Sequence, residues 1–146
     1  MTRYLLDANV LVYLHDGREA ARQRRARALV HHLGRSRRAA LSTQVLGEFA
    51  SVALRKLSPP MPPSDVRAQV GRLRRRFPVH AVTAAVVDEA LRGVADHRLG
   101  YWDSQVWAVA RLHQLDVVLG QDTRPGPLDG VRWLDPFESD LDVETL

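Results

Sequence analysis

Four acidic residues, Asp7, Glu48, Asp103 and Asp122, stand at places where an α/β chain positions chemistry. Asp7 ends the apolar run Tyr4–Leu5–Leu6, and Asp122 lies two residues past Gly120, which closes the run from Asp116. Asp103 falls in the first turn of a predicted helix, and Glu48 about a turn and a half into another. In open α/β sheets ligands sit just beyond the carboxyl ends of strands, so these positions share one plausible edge. Carboxylates brought together repel and raise one another's pKa. A hard divalent cation relieves that repulsion, prefers oxygen ligands and keeps several waters. Held this way, it orients and deprotonates water and neutralises charge growing on a phosphate. Each residue also has a plainer reading. Asp103 suits a helix cap, Asp122 a turn before Thr123, Arg124, Pro125 and Gly126, Asp7 a strand end, and Glu48 an exposed helix position. The neighbours Leu46, Gly47, Phe49 and Ala50 favour a place near the core for Glu48. Only the set is persuasive.

The elements that must position this set follow from periodicity. Arg3 to Ala8 reads as a short strand, and Asn9 to Leu14 starts a helix at once. Arg18 to Leu33 reads as a helix with Ala20, Ala21, Ala28, Leu29 and Leu33 as its buried stripe, and Gly34 is expected to stop it. Arg38 to Ser42 is a second strand. Ser42 or Thr43 caps a helix to about Leu57, in which Val45, Phe49, Val52 and Ala53 recur at helical spacing. The proline-rich stretch 58–63 is a loop. Ser64 or Asp65 is expected to cap an arginine-rich helix to Phe77, and Pro78 to Val82 to form a third strand. Thr83 caps a helix to about Arg98, and Asp103 opens one to about His113. Asp116 to Gly120 is the clearest strand, and Val131 to Leu134 a last short one. Strands alternating with helices predict a three-layer α/β/α sandwich with a short, mainly parallel central sheet. Residues 1–138 are expected to form a single domain, and 139–146 a loosely ordered acidic tail.

Composition narrows the chemistry. The chain has 146 residues, 45% hydrophobic and 26% charged, which suits one globular domain. It has no cysteine, so any metal is held by oxygen or imidazole. The histidines, among them His31, His32 and His113, lack the paired spacing of a zinc site, and His15 is placed at most near the site mouth. The acidic Asp7 argues against a signal peptide, and no apolar run approaches the roughly twenty residues that span a bilayer, so a cytoplasmic protein without membrane partners is expected. Net charge is +4, but the first 128 residues carry twenty basic against eleven acidic side chains. A basic body suits a polyanion such as nucleic acid. Lys56 is the only lysine, so a general preference for arginine explains the same excess equally well. The runs Arg22–Arg27, Arg35–Arg38 and Arg72–Arg76 read mostly as solvated helix faces, with a few near the acidic edge holding phosphate. Trp102, Trp107 and Trp133 have the chemistry to stack bases, but large aromatics more often serve as core or dimer contacts, and Trp107, four residues after Asp103, reads as core.

The motifs in order resemble those of PIN domains over nearly the whole chain. Leu5–Leu6–Asp7–Ala8–Asn9–Val10 is similar to the family's first motif, Ser42–Thr43–Gln44–Val45–Leu46–Gly47–Glu48–Phe49 to the second, Tyr101–Trp102–Asp103–Ser104 to the third and Leu119–Gly120–Gln121–Asp122 to the fourth. The close, Gly130–Val131 to Pro136–Phe137, resembles the ending of many PIN-domain toxins. The resemblance implies that Asp7, Glu48, Asp103 and Asp122 bind Mg2+ or Mn2+ and support metal-dependent endonucleolytic cleavage of RNA. Asn9, Thr43 and Ser104 would then aim the ligands or face substrate. It also implies a toxin of the VapBC type, paired with an antitoxin whose tail blocks the cleft, and a homodimer. The fourth motif usually has Ser or Thr where Gly120 stands, and an acidic or amide residue where Gln121 stands; this puts direct metal contact by Asp122 in doubt and favours contact through water. Rival readings are a DNA-directed, structure-specific nuclease and a non-catalytic RNA-binding protein. An aspartyl phosphatase is disfavoured, because Asn9 occupies the place of its second aspartate.

Overall fold

In the computed structural model, residues 1–122, 126–138 and 140–146 are described. The expected turn over Thr123 to Pro125 and the boundary residue Ser139 lie outside them. The elements run β1 (Tyr4–Leu6), α1 (Ala8–Tyr13), α2 (Ala20–Ser36), β2 (Ala39–Ser42), α3 (Thr43–Arg55), α4 (Pro63–Arg76), β3 (Val79–His80), α5 (Ala84–His97), α6 (Tyr101–Leu112), β4 (Val117–Leu119), β5 (Arg132–Leu134) and a 3-10 turn, Val143–Thr145. None of the described helices is long and apolar enough to cross a membrane.

The strands form one sheet in the order β3-β2-β1-β4-β5, and every pairing is parallel. The chain steps outward from β1 to β3, then returns to the other side of β1 for β4 and β5. Strand order therefore reverses between β1 and β4, the kind of crevice where α/β sheets bind ligands.

The period-two alternation of strands divides the core. Tyr4 and Leu6, Ala39 and Leu41, and Val117 and Leu119 face one side, packing with Leu11, Leu29, Leu33, Val45 and Phe49 from α1 to α3. Leu5, Ala40 and Val118 face the other, with Val86 and Ala90 of α5 and Val106, Trp107 and Val109 of α6. Helices cover both faces of a parallel sheet, as expected.

Helix ends follow local chemistry where a cap was legible. Ser42 accepts from the Val45 N–H at the start of α3, and Thr83 from the Val86 N–H at the start of α5. Elsewhere the structure corrects the reading. α4 starts at Pro63, with neither Ser64 nor Asp65 as its cap. Proline suits that first position because its missing N–H would be unsatisfied anyway. α2 runs through Gly34 to Ser36 and ends on Arg37 in the left-handed conformation. Gly34 is a seat rather than a stop: a Cβ there would stand 2.0 Å from Nε of Arg76. The buried stripe of α2 is Ala26, Leu29, Val30 and Leu33, while Ala20, Ala21 and Ala28 are exposed.

The last residues are also better packed than expected. Val143 and Leu146 are buried in the core on the α2 side. Arg25 donates to the carbonyls of Pro136 and Leu141, Arg38 donates to that of Leu146, and His32 Nε2 lies 2.9 Å from the Leu146 carbonyl oxygen. Two arginines and a histidine of the α2 region thus clamp the closing segment instead of lying free in water.

Candidate active site

All four predicted carboxylates line one open cavity of about 550 Å³ at the carboxyl ends of β1 and β4. Asp7 follows β1 directly. Its backbone N–H donates to the Leu119 carbonyl of β4 at 2.9 Å, so the sheet itself sets the start of α1. Its Oδ1 accepts from the Ala8 N–H at 2.8 Å, as the helix cap. On the neighbouring strand Gly120 leaves room for it, since a Cβ there would lie 2.9 Å from the Asp7 Cβ and 3.0 Å from Oδ2. Burial pushes the Asp7 carboxyl up to about 6; the Ala8 N–H pulls it down, and the charges of Glu48, Asp103 and Asp122 push it further up. Asp7 therefore feels every other member of the set.

Asp103 lies in the first turn of α6, but the cap of that helix is Gly100, so capping does not account for the aspartate. Glu48 is exposed on the cavity wall rather than near the core. It accepts from Gln44 Nε2 at 2.9 Å, one turn earlier on α3. The same amide donates to the Trp102 carbonyl at 3.1 Å, while its oxygen accepts from Gln105 Nε2 at 3.0 Å. Tyr101 completes the chain by donating to Gln105 Oε1 at 2.9 Å. These bonds tie α3 to the start of α6, and Glu48 to the side that carries Asp103. Asp122 is exposed. The residue before it is anchored through Gln121 Oε1, which accepts from the Tyr13 hydroxyl at 3.2 Å.

Of the residues expected to assist, Asn9 lines the cavity, while Thr43 and Ser104 do not. Thr43 Oγ1 accepts from the Val82 N–H at 3.1 Å and so secures the segment after β3. Ser104 is fully buried and donates to the Ala90 carbonyl at 2.6 Å, joining α6 to α5. His15 lies away from the site, against Phe49 and in a groove beside α4. Trp107 is core, with Nε1 donating to the Leu128 carbonyl at 3.0 Å. Trp102 lines the cavity with 66% of its surface exposed.

Several lining residues went unread in the sequence. Gln44 was signalled by its four-residue spacing from Glu48, which puts both on one face of a helix. Lys56 is the cavity's sole lysine or arginine among the described residues and had no motif to mark it. Asp16 also lines the cavity, but Arg18 donates to it at 3.0 Å and holds its carboxyl below the usual range. Already paired, Asp16 stands outside the repelling set.

The donor chemistry is all oxygen. Among the described residues no group of three histidine, aspartate or glutamate side chains is arranged to hold a metal ion. Magnesium does not require one, because it is commonly held by one or two carboxylates and several waters. The Asn9 Oδ1 is buried beside the cavity with no hydrogen-bond partner among the described residues, one more hard oxygen at the site. Together with the proton affinity of Asp7, this donor set fits a hydrated divalent cation better than a tightly enclosed one.

A parallel α/β/α sandwich with carboxylates at its strand-order reversal is the class that fold and site define. The chain belongs to the PIN-domain family, whose model matches residues 4–130. No curated protein is a significant match. Solved structures share the fold at low identity. A toxin–antitoxin complex from Klebsiella pneumoniae aligns at TM-score 0.63 with 20% identity, over 92% of this chain and 98% of that one. The DNA-bound VapBC of Salmonella typhimurium aligns at 0.62 with 19% identity, over 93% and 99%. VapC20 of Mycobacterium tuberculosis, a toxin that cleaves the sarcin–ricin loop, aligns at 0.56 with 18% identity, over 79% and 86%.

Proposed function

We propose that this protein is a metal-dependent endoribonuclease and the toxin of a type II toxin–antitoxin module, acting in the cytoplasm. The observation that carries the reading is the single cavity in which Glu48, Asp103 and Asp122 act electrostatically on a buried Asp7. When bound, Mg2+ or Mn2+ would supply the positive charge that activates water and offsets charge on the phosphate. Asp7 and Asp103 are assigned as its direct ligands, Glu48 as a ligand aimed by Gln44, and Asp122 as one acting through water. Asn9 supports the set from the cavity wall. Lys56, on the same wall, is suited to meet a phosphate oxygen. The RNA substrate and the antitoxin are supported by family membership and by fold likeness to toxin–antitoxin proteins, and the homodimer is inferred from the family resemblance alone.

The test uses purified chain with matched RNA and DNA oligonucleotides, with Mg2+ or with EDTA. RNA is cut internally with Mg2+ and not with EDTA. Asp7→Asn and Asp103→Asn each lower the rate by on the order of a hundredfold or more, since even outer-sphere supports of a metal cost 10–100-fold. Equal cutting of DNA would make the chain a general or DNA-directed nuclease. Chelator-insensitive RNA binding without cleavage would leave only a binding protein.

A further inference from the structure

Six arginines line two successive pockets beside α2 and α4 that meet at Arg76, together the α2–α4 groove. Arg27 and Arg72 line one stretch of this groove, of about 440 Å³, beside His15. Arg37, Arg74 and Arg75 line the next, of about 630 Å³, and Arg76 lines both. All six are exposed, and no carboxylate lines either stretch. Among the described residues none of the six makes an ion pair; the paired arginines are Arg18, Arg22, Arg92 and Arg111.

The groove is built, not merely solvated. The Arg76 side chain crosses onto α2 over Gly34, where a Cβ would make the guanidinium shift, and its Nη2 donates to the His31 carbonyl at 3.2 Å. A mid-helix glycine costs about 1 kcal/mol relative to alanine, and here it makes room for a guanidinium. Burial and the Arg27 charge hold the His15 imidazole below its usual pKa, so the floor of the groove senses the positive field. Unpaired like charges disfavour the compact state, and a polyanion relieves them. The His15 stretch is linked to the acidic cavity only through the chain at the end of α1, while the stretch with Arg37, Arg74 and Arg75 lies toward the amino ends of β2 and β3. Leu14 and His15 line the groove, while Val12, Tyr13 and Asp16 of the same short stretch line the cavity.

We propose that the α2–α4 groove holds the phosphate backbone of single-stranded RNA whose reactive bond lies in the acidic cavity, an inference that rests on the ribonuclease reading above. Each phosphate contact on a single strand contributes about 0.7 to the slope of log affinity against log salt. Placing the contacts on helices fixes the path of the strand without reading its bases.

The experiment measures binding of a labelled oligouridylate to the full chain carrying Asp7→Asn, so that RNA is not consumed. In that background Arg72→Gln, Arg74→Gln and Arg75→Gln are combined. These side chains are exposed, and an unchanged thermal melt verifies the fold. Affinity falls on the order of tenfold at moderate salt, and the salt slope falls by about 2 for three lost contacts. The same positions changed to lysine keep most of both. Unchanged affinity and slope in the glutamine variant overturn the proposal. So does retained RNA binding with loss of polyglutamate binding, which would assign the groove to an acidic polypeptide. If the chain with Asp7 intact never cuts RNA but the slope still falls, the ribonuclease reading fails and the groove stands as an RNA surface.

Discussion

At the scale of single residues, Asp7 sets the behaviour of the site. Its carboxyl stands at about 6 in the fold against an ordinary 3.8, with burial the largest cause. The folded chain thus holds this proton more tightly than the unfolded chain. Ionised Asp7 opposes folding above about pH 6, the penalty fades between pH 6 and 4, and it is gone below. The shift corresponds to about 3 kcal/mol at neutral pH. Asn keeps the cap on α1 without the charge. Without metal, Asp7→Asn is therefore expected to raise stability by up to about 3 kcal/mol at neutral pH and by almost nothing near pH 4. Urea melts in EDTA at the two pH values check this; an equal gain at both would mean that charge is not what strains the site. Gly120 belongs to the same balance. Serine or threonine is usual there in PIN domains, and in this chain any side chain would have to displace Asp7.

At the scale of elements, the site depends on where α3 and α6 begin. Ser42 is fully buried at the end of β2 and accepts from the Val45 N–H at 3.2 Å, so one side chain ends a strand and caps the helix carrying Gln44 and Glu48. Ser42→Ala leaves that donor buried and unpaired. The expected cost is about 1–2 kcal/mol, read as a lower denaturation midpoint with an unchanged m-value. Ser42→Thr, which keeps the hydroxyl, should recover part of it. A loss confined to activity, with stability intact, would contradict the structural role. Thr43 at the start of α3, and Ser104 on the other side of the sheet, serve similar ends, joining elements rather than meeting substrate.

At the scale of the whole molecule, the closing segment is part of the fold. Val143 and Leu146 complete the core against α2, under the clamp of Arg25, His32 and Arg38. Leu146→Ala is expected to lower stability by about 2 kcal/mol or more while leaving the proposed nuclease activity per folded molecule unchanged. Thermal denaturation and a rate normalised to active protein separate the two. A melt identical to that of the parent chain would show the segment to be dispensable. The distribution of arginine carries the same lesson. Some arginines bind carbonyls of the chain itself, some pair with acids on α5, and six gather in one groove, although all look alike as runs in the sequence.

The order of strands and helices, most of their limits and the four acidic positions were legible along the chain. Such features depend on neighbours within about four residues: apolar period, a cap hydroxyl, an acid where a strand gives way. What Gly34, Thr43, Ser104 and Lys56 do was not legible, because each acts across elements that pack only after the chain folds. Gly34 reads as a helix stop until α4 lays Arg76 over it. Ser104 reads as a companion of Asp103 until α5 covers it, since adjacent residues on a helix point about 100° apart. Local spacing decided which carboxylates could meet; strand register and helix packing decided which amide, aromatic and cation came to stand around them.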